Sequence, residues 1–79
     1  MADVIPLTQA PAGRPVVVVQ VAGGRGVQGR LLSLGIRPGV TVTKVNSTFA
    51  GGPAVIQVGT SKTALGRGVC AKIMVEAPG

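Results

Sequence analysis

The stretch Leu31–Gly39 constrains the fold of this chain most, because within nine residues it ends one helix and begins one strand. Apolar side chains leading into it recur at the i, i+4 and i+7 spacing of a single helix face. They are Val27, Leu31 and Leu34. Gly35 follows them, at the position where a left-handed glycine commonly ends a helix. The pattern therefore predicts a short helix, Val27–Leu34, that packs through this face.

The second half of the stretch converts the helix into a strand. Ile36 is placed to fold back on the helix, and Pro38–Gly39 predicts a tight turn, because Pro fixes φ and Gly accepts positive φ. The next strand, Val40–Val45, is expected to point Val inward and Thr outward. After a loop it should pair antiparallel with Ala54–Val58. The residues that define this pattern are Leu31, Leu34, Gly35, Ile36, Pro38, Gly39, Gly51, Gly52 and Pro53.

Composition favours a small all-β domain. The apolar content is 46%, with one Phe and no Trp or Tyr, so the core consists largely of β-branched and other aliphatic residues that suit strands. Many turns are expected from 13 Gly and 6 Pro. Together these features predict a β-rich barrel or sandwich.

The remaining segments complete one predicted domain over residues 1–79, with 77–79 as a tail. Residues 1–14 are expected to form an extended lead anchored by Leu7. The strand Val16–Val21 contains four consecutive valines, so alternation alone cannot assign its faces. One phase points Val17, Val19 and Val21 inward, with Gln20 outward. The other predicted elements are a short strand Thr63–Leu65, a single turn carrying Val69 and Cys70, and a last strand Ala71–Glu76 with Ile73 and Val75 inward.

The net charge of +6 raises the question of nucleic-acid binding. The basic residues are dispersed: Arg14, Arg25, Arg30, Arg37, Lys44, Lys62, Arg67 and Lys72. They have almost no aromatic neighbours on which bases could stack. Nucleic-acid binding is therefore disfavoured. Attraction to an acidic protein surface or to anionic lipid is at least as consistent with the charge.

The side-chain inventory predicts no catalytic, cofactor or metal site. The chain has no His and only two acids, Asp3 and Glu76, which leaves few groups for proton transfer or metal ligation. Cys70 is expected to be a small core residue. Gly24–Gly29 matches GxGxxG, but the chain is too short for a doubly wound sheet and lacks the acid that would hold a ribose. We therefore predict a binding domain.

The sequence contains no recognisable signal peptide and no apolar run long enough to span a bilayer. The single Cys, which cannot form an internal disulfide, is compatible with a reducing compartment. We therefore expect a cytoplasmic protein.

The helix ending Leu31–Ile36, the turn Pro38–Gly39, and Gly51–Pro53 opening the strand Ala54–Val58 together resemble the ferrous-iron transport protein A (FeoA) family. The resemblance covers about Leu7 to Glu76. It implies an SH3-like barrel with one short helix between the first and second core strands. It also implies a non-enzymatic cytoplasmic accessory to the FeoB-type iron permease, which carries a GTP-binding domain.

Under this resemblance, the exposed parts of the helix and its turn are the expected docking surface for the cytoplasmic part of the permease, at the inner face of the membrane. The candidate contact residues are Arg30, Leu32, Ser33 and Arg37. Leu32 lies off the packing face and is the apolar side chain most expected to be exposed. Two alternatives stay open: a small basic nucleic-acid-binding barrel, and a homo-oligomeric adaptor domain that closes an exposed sheet edge.

Overall fold

The structure is a computed structural model that describes residues 3–46 and 52–76. Within these residues it contains six strands and two helices. The strands are β1 (Val4–Pro6), β2 (Pro15–Val21), β3 (Thr41–Lys44), β4 (Ala54–Val58), β5 (Ser61–Leu65) and β6 (Ile73–Glu76). The helices are α1 (Arg25–Ser33) and the single turn α2 (Arg67–Cys70), and Leu7–Gln9 forms a 3₁₀ turn. All pairings are antiparallel, in the order β1-β6-β2-β3-β4-β5. The predicted all-β class is confirmed.

The helix-to-strand stretch folds as predicted. Helix α1 begins two residues earlier than expected and ends before Gly35, which has φ +84°. The amide of Ile36 donates to the carbonyl of Leu31 over 2.8 Å, so Ile36 folds back onto the helix and is buried. Gly39 has φ +95°, as the predicted turn requires. Leu31 is fully buried, while Leu34 is half-buried.

The phase predicted for β2 is wrong at two positions. Val16 and Val18 point into the core, whereas Val17 and Val19 are only half-buried. The register shifts between Val18 and Gln20 where β2 pairs with β6. This bulge inserts an extra residue, so the inward positions change parity along the strand.

Lys44 is buried despite its charge. It follows Val42 on the inward face of β3 and is only 3% exposed. Its Nζ donates to the backbone carbonyls of Thr8, over 3.2 Å, and Leu7, over 3.4 Å. These bonds satisfy buried polar groups and tie the 3₁₀ turn to the sheet.

The N-terminal segment, which was predicted to be an extended lead, contains a strand of the sheet and a 3₁₀ turn. Strand β1 pairs with β6, and Leu7 is fully buried, as its anchoring role predicted. The backbone amide of Gly13 also donates to the carbonyl of Lys44 over 2.7 Å. The bounds of the single domain stay a prediction.

The C-terminal half follows the prediction closely. Strands β3 and β4 pair antiparallel, and β5 begins two residues earlier than expected. Cys70 lies in α2 and is buried, while Ile73 and Val75 point inward from β6. Gly51, one of the residues that define the sequence pattern, lies outside the described residues. The fully or nearly fully buried hydrophobic side chains among the described residues are Leu7, Ala10, Val16, Val18, Leu31, Ile36, Val42, Ala54, Ile56, Leu65, Cys70, Ile73 and Val75.

Candidate functional site

A groove of about 380 Å³ runs along the outer side of α1. It lies between the helix, the end of β2 and the loop that follows the helix. Its lining residues, which define the α1 groove, are Val21, Arg25, Gln28, Gly29, Leu32, Ile36, Arg37 and Pro38. The turn that shapes the fold therefore also forms one wall of the groove.

One stripe of α1 supplies half of the lining. Arg25, Gln28, Gly29 and Leu32 follow the 3, 4 and 7 spacing of one helix face. Because Leu31 points into the core, this stripe faces away from it. Leu32 is 57% exposed, which confirms the sequence expectation of an exposed apolar side chain on the helix.

The groove is held in place by backbone and side-chain bonds at both ends of α1. The side-chain amide of Gln28 donates to the carbonyl of Gly23 over 3.0 Å and to that of Val21 over 3.4 Å. These bonds join the helix to the end of β2. At the other end, the bond from Ile36 to Leu31 fixes the loop that carries Arg37. These bonds hold the end of β2 and the loop after the helix against α1, and so shape the groove.

The electrostatic character of the groove is positive. Arg25 lies at the start of α1 and Arg37 in the loop beyond its end. The first turn of α1 has no acidic residue, and Gly24 provides no side-chain cap. The positive end of the helix dipole thus adds to the charge of Arg25.

Both acids lie at the opposite end of the sheet. Glu76 pairs with Val17, whereas the groove residue Val21 pairs with Ile73 three residues earlier on β6. This places Glu76 about 10 Å along the strand from the groove end. Strand β1 begins opposite Glu76, so Asp3, which precedes β1, lies at the same end. Both acids therefore lie away from the groove.

Two of the four predicted contact residues line the groove, and two do not. Leu32 and Arg37 line the α1 groove, while Arg30 and Ser33 lie on another flank of the helix. The Ser33 hydroxyl donates to the carbonyl of Arg30 over 2.7 Å and is thus engaged within the helix. Arg25, Gln28 and Gly29 were not predicted, although their spacing from Leu32 could have indicated them.

Among the described residues, no group of three or more His, Cys, Asp or Glu side chains is arranged to hold a metal ion. The Cys70 thiol is buried and lies 3.8 Å from the carbonyl of Leu65, to which it donates. Desolvation raises the pKa of this thiol, and the nearby Lys44 charge offsets part of that rise. A thiol with a raised pKa is a poor nucleophile. In the described part of the chain, no helix has the length and apolar character needed to cross a bilayer.

Solved structures place this fold in a class of small SH3-like domains. A crystal structure of an iron uptake regulatory protein (FeoA) matches with a TM-score of 0.82 at 33% identity, covering 92% of this chain and 95% of that one. A manganese-dependent transcriptional repressor matches with a TM-score of 0.88 at 14% identity. Because the match covers 99% of this chain but 44% of the repressor, it shows the fold alone.

Sequence comparison then gives the family. The family model described as the FeoA domain matches residues 5–77. A Methanocaldococcus jannaschii protein named "Putative Fe(2+) transport protein A" is 38% identical over 71 residues, which are 90% of this chain and 84% of that protein. The chain belongs to the FeoA family, so the predicted resemblance is confirmed.

Proposed function

We propose that this protein is a non-enzymatic, cytoplasmic accessory of ferrous-iron uptake that docks through the α1 groove on the cytoplasmic part of an FeoB-type permease. Family membership over almost the whole chain supports the role in ferrous-iron transport. The observation that carries the docking proposal is the groove itself, with an exposed leucine between two arginines.

The physical argument for docking is that Leu32 costs free energy while it stays exposed to water. Fully burying a leucine side chain contributes about 1.5–3 kcal/mol, so burying the exposed 57% of Leu32 contributes roughly 1–2 kcal/mol. A central apolar residue within a polar rim is the usual arrangement of a protein-binding hot spot. Leu32 and Arg37 are the proposed central contacts. Arg30 and Ser33 remain proposed contacts for a partner that extends beyond the groove.

The test is uptake of radiolabelled ferrous iron in cells that retain the permease and lack their own copy of this gene. The chain should restore uptake, and Leu32→Asp and Arg37→Glu should each fail to restore it. Arg14→Glu is the matched control, because Arg14 is exposed, distant in sequence from the helix, and undergoes the same charge change. Each variant's amount and folding are checked in the same cells by immunoblotting and circular dichroism of purified protein.

Full uptake with folded Leu32→Asp would contradict docking through the groove. Equal loss with Arg14→Glu would show that net charge, rather than the groove, supports uptake.

A further inference from the structure

We infer that the α1 groove binds a peptide segment in which one large apolar side chain is flanked by carboxylates. This inference deepens the proposed function and rests on it in one respect, namely that the segment belongs to the transport partner. The chemistry of the segment follows from the groove alone.

The groove has room for an apolar anchor beside Leu32. The half-buried Val21 and the buried Ile36 contribute to its lining. Gly29 lies in the same lining, and a Cβ added there would meet no atom within 4 Å apart from its own helix backbone. Glycine inside a helix costs about 1 kcal/mol relative to alanine. No packing against the described residues requires Gly29, so its lack of a side chain leaves open space for a partner to approach the helix.

The arginines determine the charge of that partner. Arg25 and Arg37 both line the groove, and the acids Asp3 and Glu76 lie at the far end of the sheet. A basic segment would be repelled, whereas carboxylates beside the anchor would pair with the two guanidinium groups.

The helix also predicts the spacing within the segment. Arg25 and Leu32 lie seven residues apart on one face of α1. This corresponds to about 10 Å along the helix axis. A partner carboxylate that reaches Arg25 should therefore lie about seven residues from the apolar anchor in a helical segment, or about three residues away in an extended one.

A lipid surface fits these observations less well than a peptide. The large apolar side chains that are exposed among the described residues are Val4 in β1, Leu32 in α1 and Val45 just after β3. Membrane-surface binding relies on a broad apolar face, which these scattered residues do not form. A concave groove with one leucine suits a single inserted side chain.

The experiment selects random peptides of about 12 residues, long enough to contain the helical spacing, on the immobilised full chain. Enriched peptides are synthesised, and their dissociation constants are measured by fluorescence anisotropy. We expect a large apolar residue with Asp or Glu at the predicted spacing. Arg25→Glu and Arg37→Glu should each weaken binding roughly tenfold, since close charge pairs are reversed. Arg14→Glu, an exposed position before β2 that neither lines the groove nor is a proposed contact, should weaken it less than about threefold.

Four results would overturn the inference. The first is enrichment of neutral or basic peptides, and the second is no enrichment of any peptide. The third is that Arg14→Glu weakens binding as much as Arg37→Glu, which would indicate attraction by net charge alone. The fourth is that vesicles of anionic phosphatidylglycerol bind the chain through Leu32, with Leu32→Ala releasing them and Val45→Ala retaining them, which would assign the groove to a membrane.

The outcomes separate this inference from the proposed function. Binding of acidic-apolar peptides together with iron uptake that ignores Leu32 would refute docking on the permease and support the groove's peptide chemistry. Uptake that depends on Leu32 together with selection of basic peptides would support docking on the permease and refute the acidic-apolar chemistry inferred for the segment.

Discussion

Two adjacent leucines of α1 have opposite roles. Leu31 is fully buried, and Leu32 is 57% exposed in the groove. Leu31→Ala should lower the free energy of unfolding by about 2–5 kcal/mol, because it leaves a cavity in the core. Leu32→Asp should change it by no more than about 0.5 kcal/mol, as is usual for an exposed position. Urea denaturation of both variants measures the difference.

Unfolding of the Leu32→Asp variant would place Leu32 in the core and remove it from the docking surface. Leu34→Ala should cost less than Leu31→Ala, because Leu34 is only half-buried. This corrects the expectation from spacing alone, which treats the two leucines as equivalent.

Cys70 predicts a pH dependence of stability. Burial raises the thiol pKa in the folded state, and Lys44 offsets part of the rise. The unfolded thiol therefore ionises first, so the stabilising contribution is complete below the unfolded pKa and is lost as pH rises through the folded pKa. Between about pH 7 and about pH 10, the parent protein should lose more unfolding free energy than Cys70→Ala. Equal losses in the two proteins would contradict the assignment.

At the residue scale, sequence reasoning found Leu32 and missed Lys44. An apolar residue one position from a clear helix face can be predicted to be exposed, because the 3.6-residue period determines direction. Burial of Lys44 depends on the carbonyls of Leu7 and Thr8, which come from a distant part of the chain. A local pattern contains no information about that contact.

Two glycines within α1 allow groove occupancy to be separated from helix stability. Gly26 and Gly29 both have open space for a Cβ, but only Gly29 lines the groove. Replacing either by alanine should raise unfolding free energy by about 0.5–1 kcal/mol. A shift of roughly 4 °C or more per kcal/mol in thermal midpoint is expected for a domain of this size.

Only Gly29→Ala should weaken partner binding, because its methyl group occupies the space above the helix. Calorimetric melting and peptide anisotropy on the two variants make the comparison. Equal binding by both variants would mean that the partner does not approach Gly29.

At the scale of elements, helix α1 and strands β3 to β6 could be predicted because their turns and alternation are locally encoded. The phase of β2 could not. Four consecutive valines fit either face, and the bulge beside Gln20 is set by pairing with β6, more than fifty residues away in the chain. Such non-local pairing overrides local pattern.

At the scale of the whole molecule, the groove could be predicted only in part. The turn Pro38–Gly39 and the exposed Leu32 are visible in the sequence. Their juxtaposition with Arg25 and the end of β2 requires the folded chain, since β2 reaches the helix through the bonds of Gln28. The separation of both acids from the groove likewise follows from strand pairing. If an acidic partner binds at Arg25 and Arg37, as proposed, we expect its affinity to fall with salt.

The most direct test of docking is a nuclear magnetic resonance titration of isotope-labelled protein with the purified cytoplasmic part of an FeoB-type permease. The amide signals that shift should belong to the α1 groove, around Gln28, Leu32 and Arg37, and Leu32→Asp should abolish the shifts. Shifts confined to the edge strand β5, or no shifts at any concentration reached, would contradict docking through the groove.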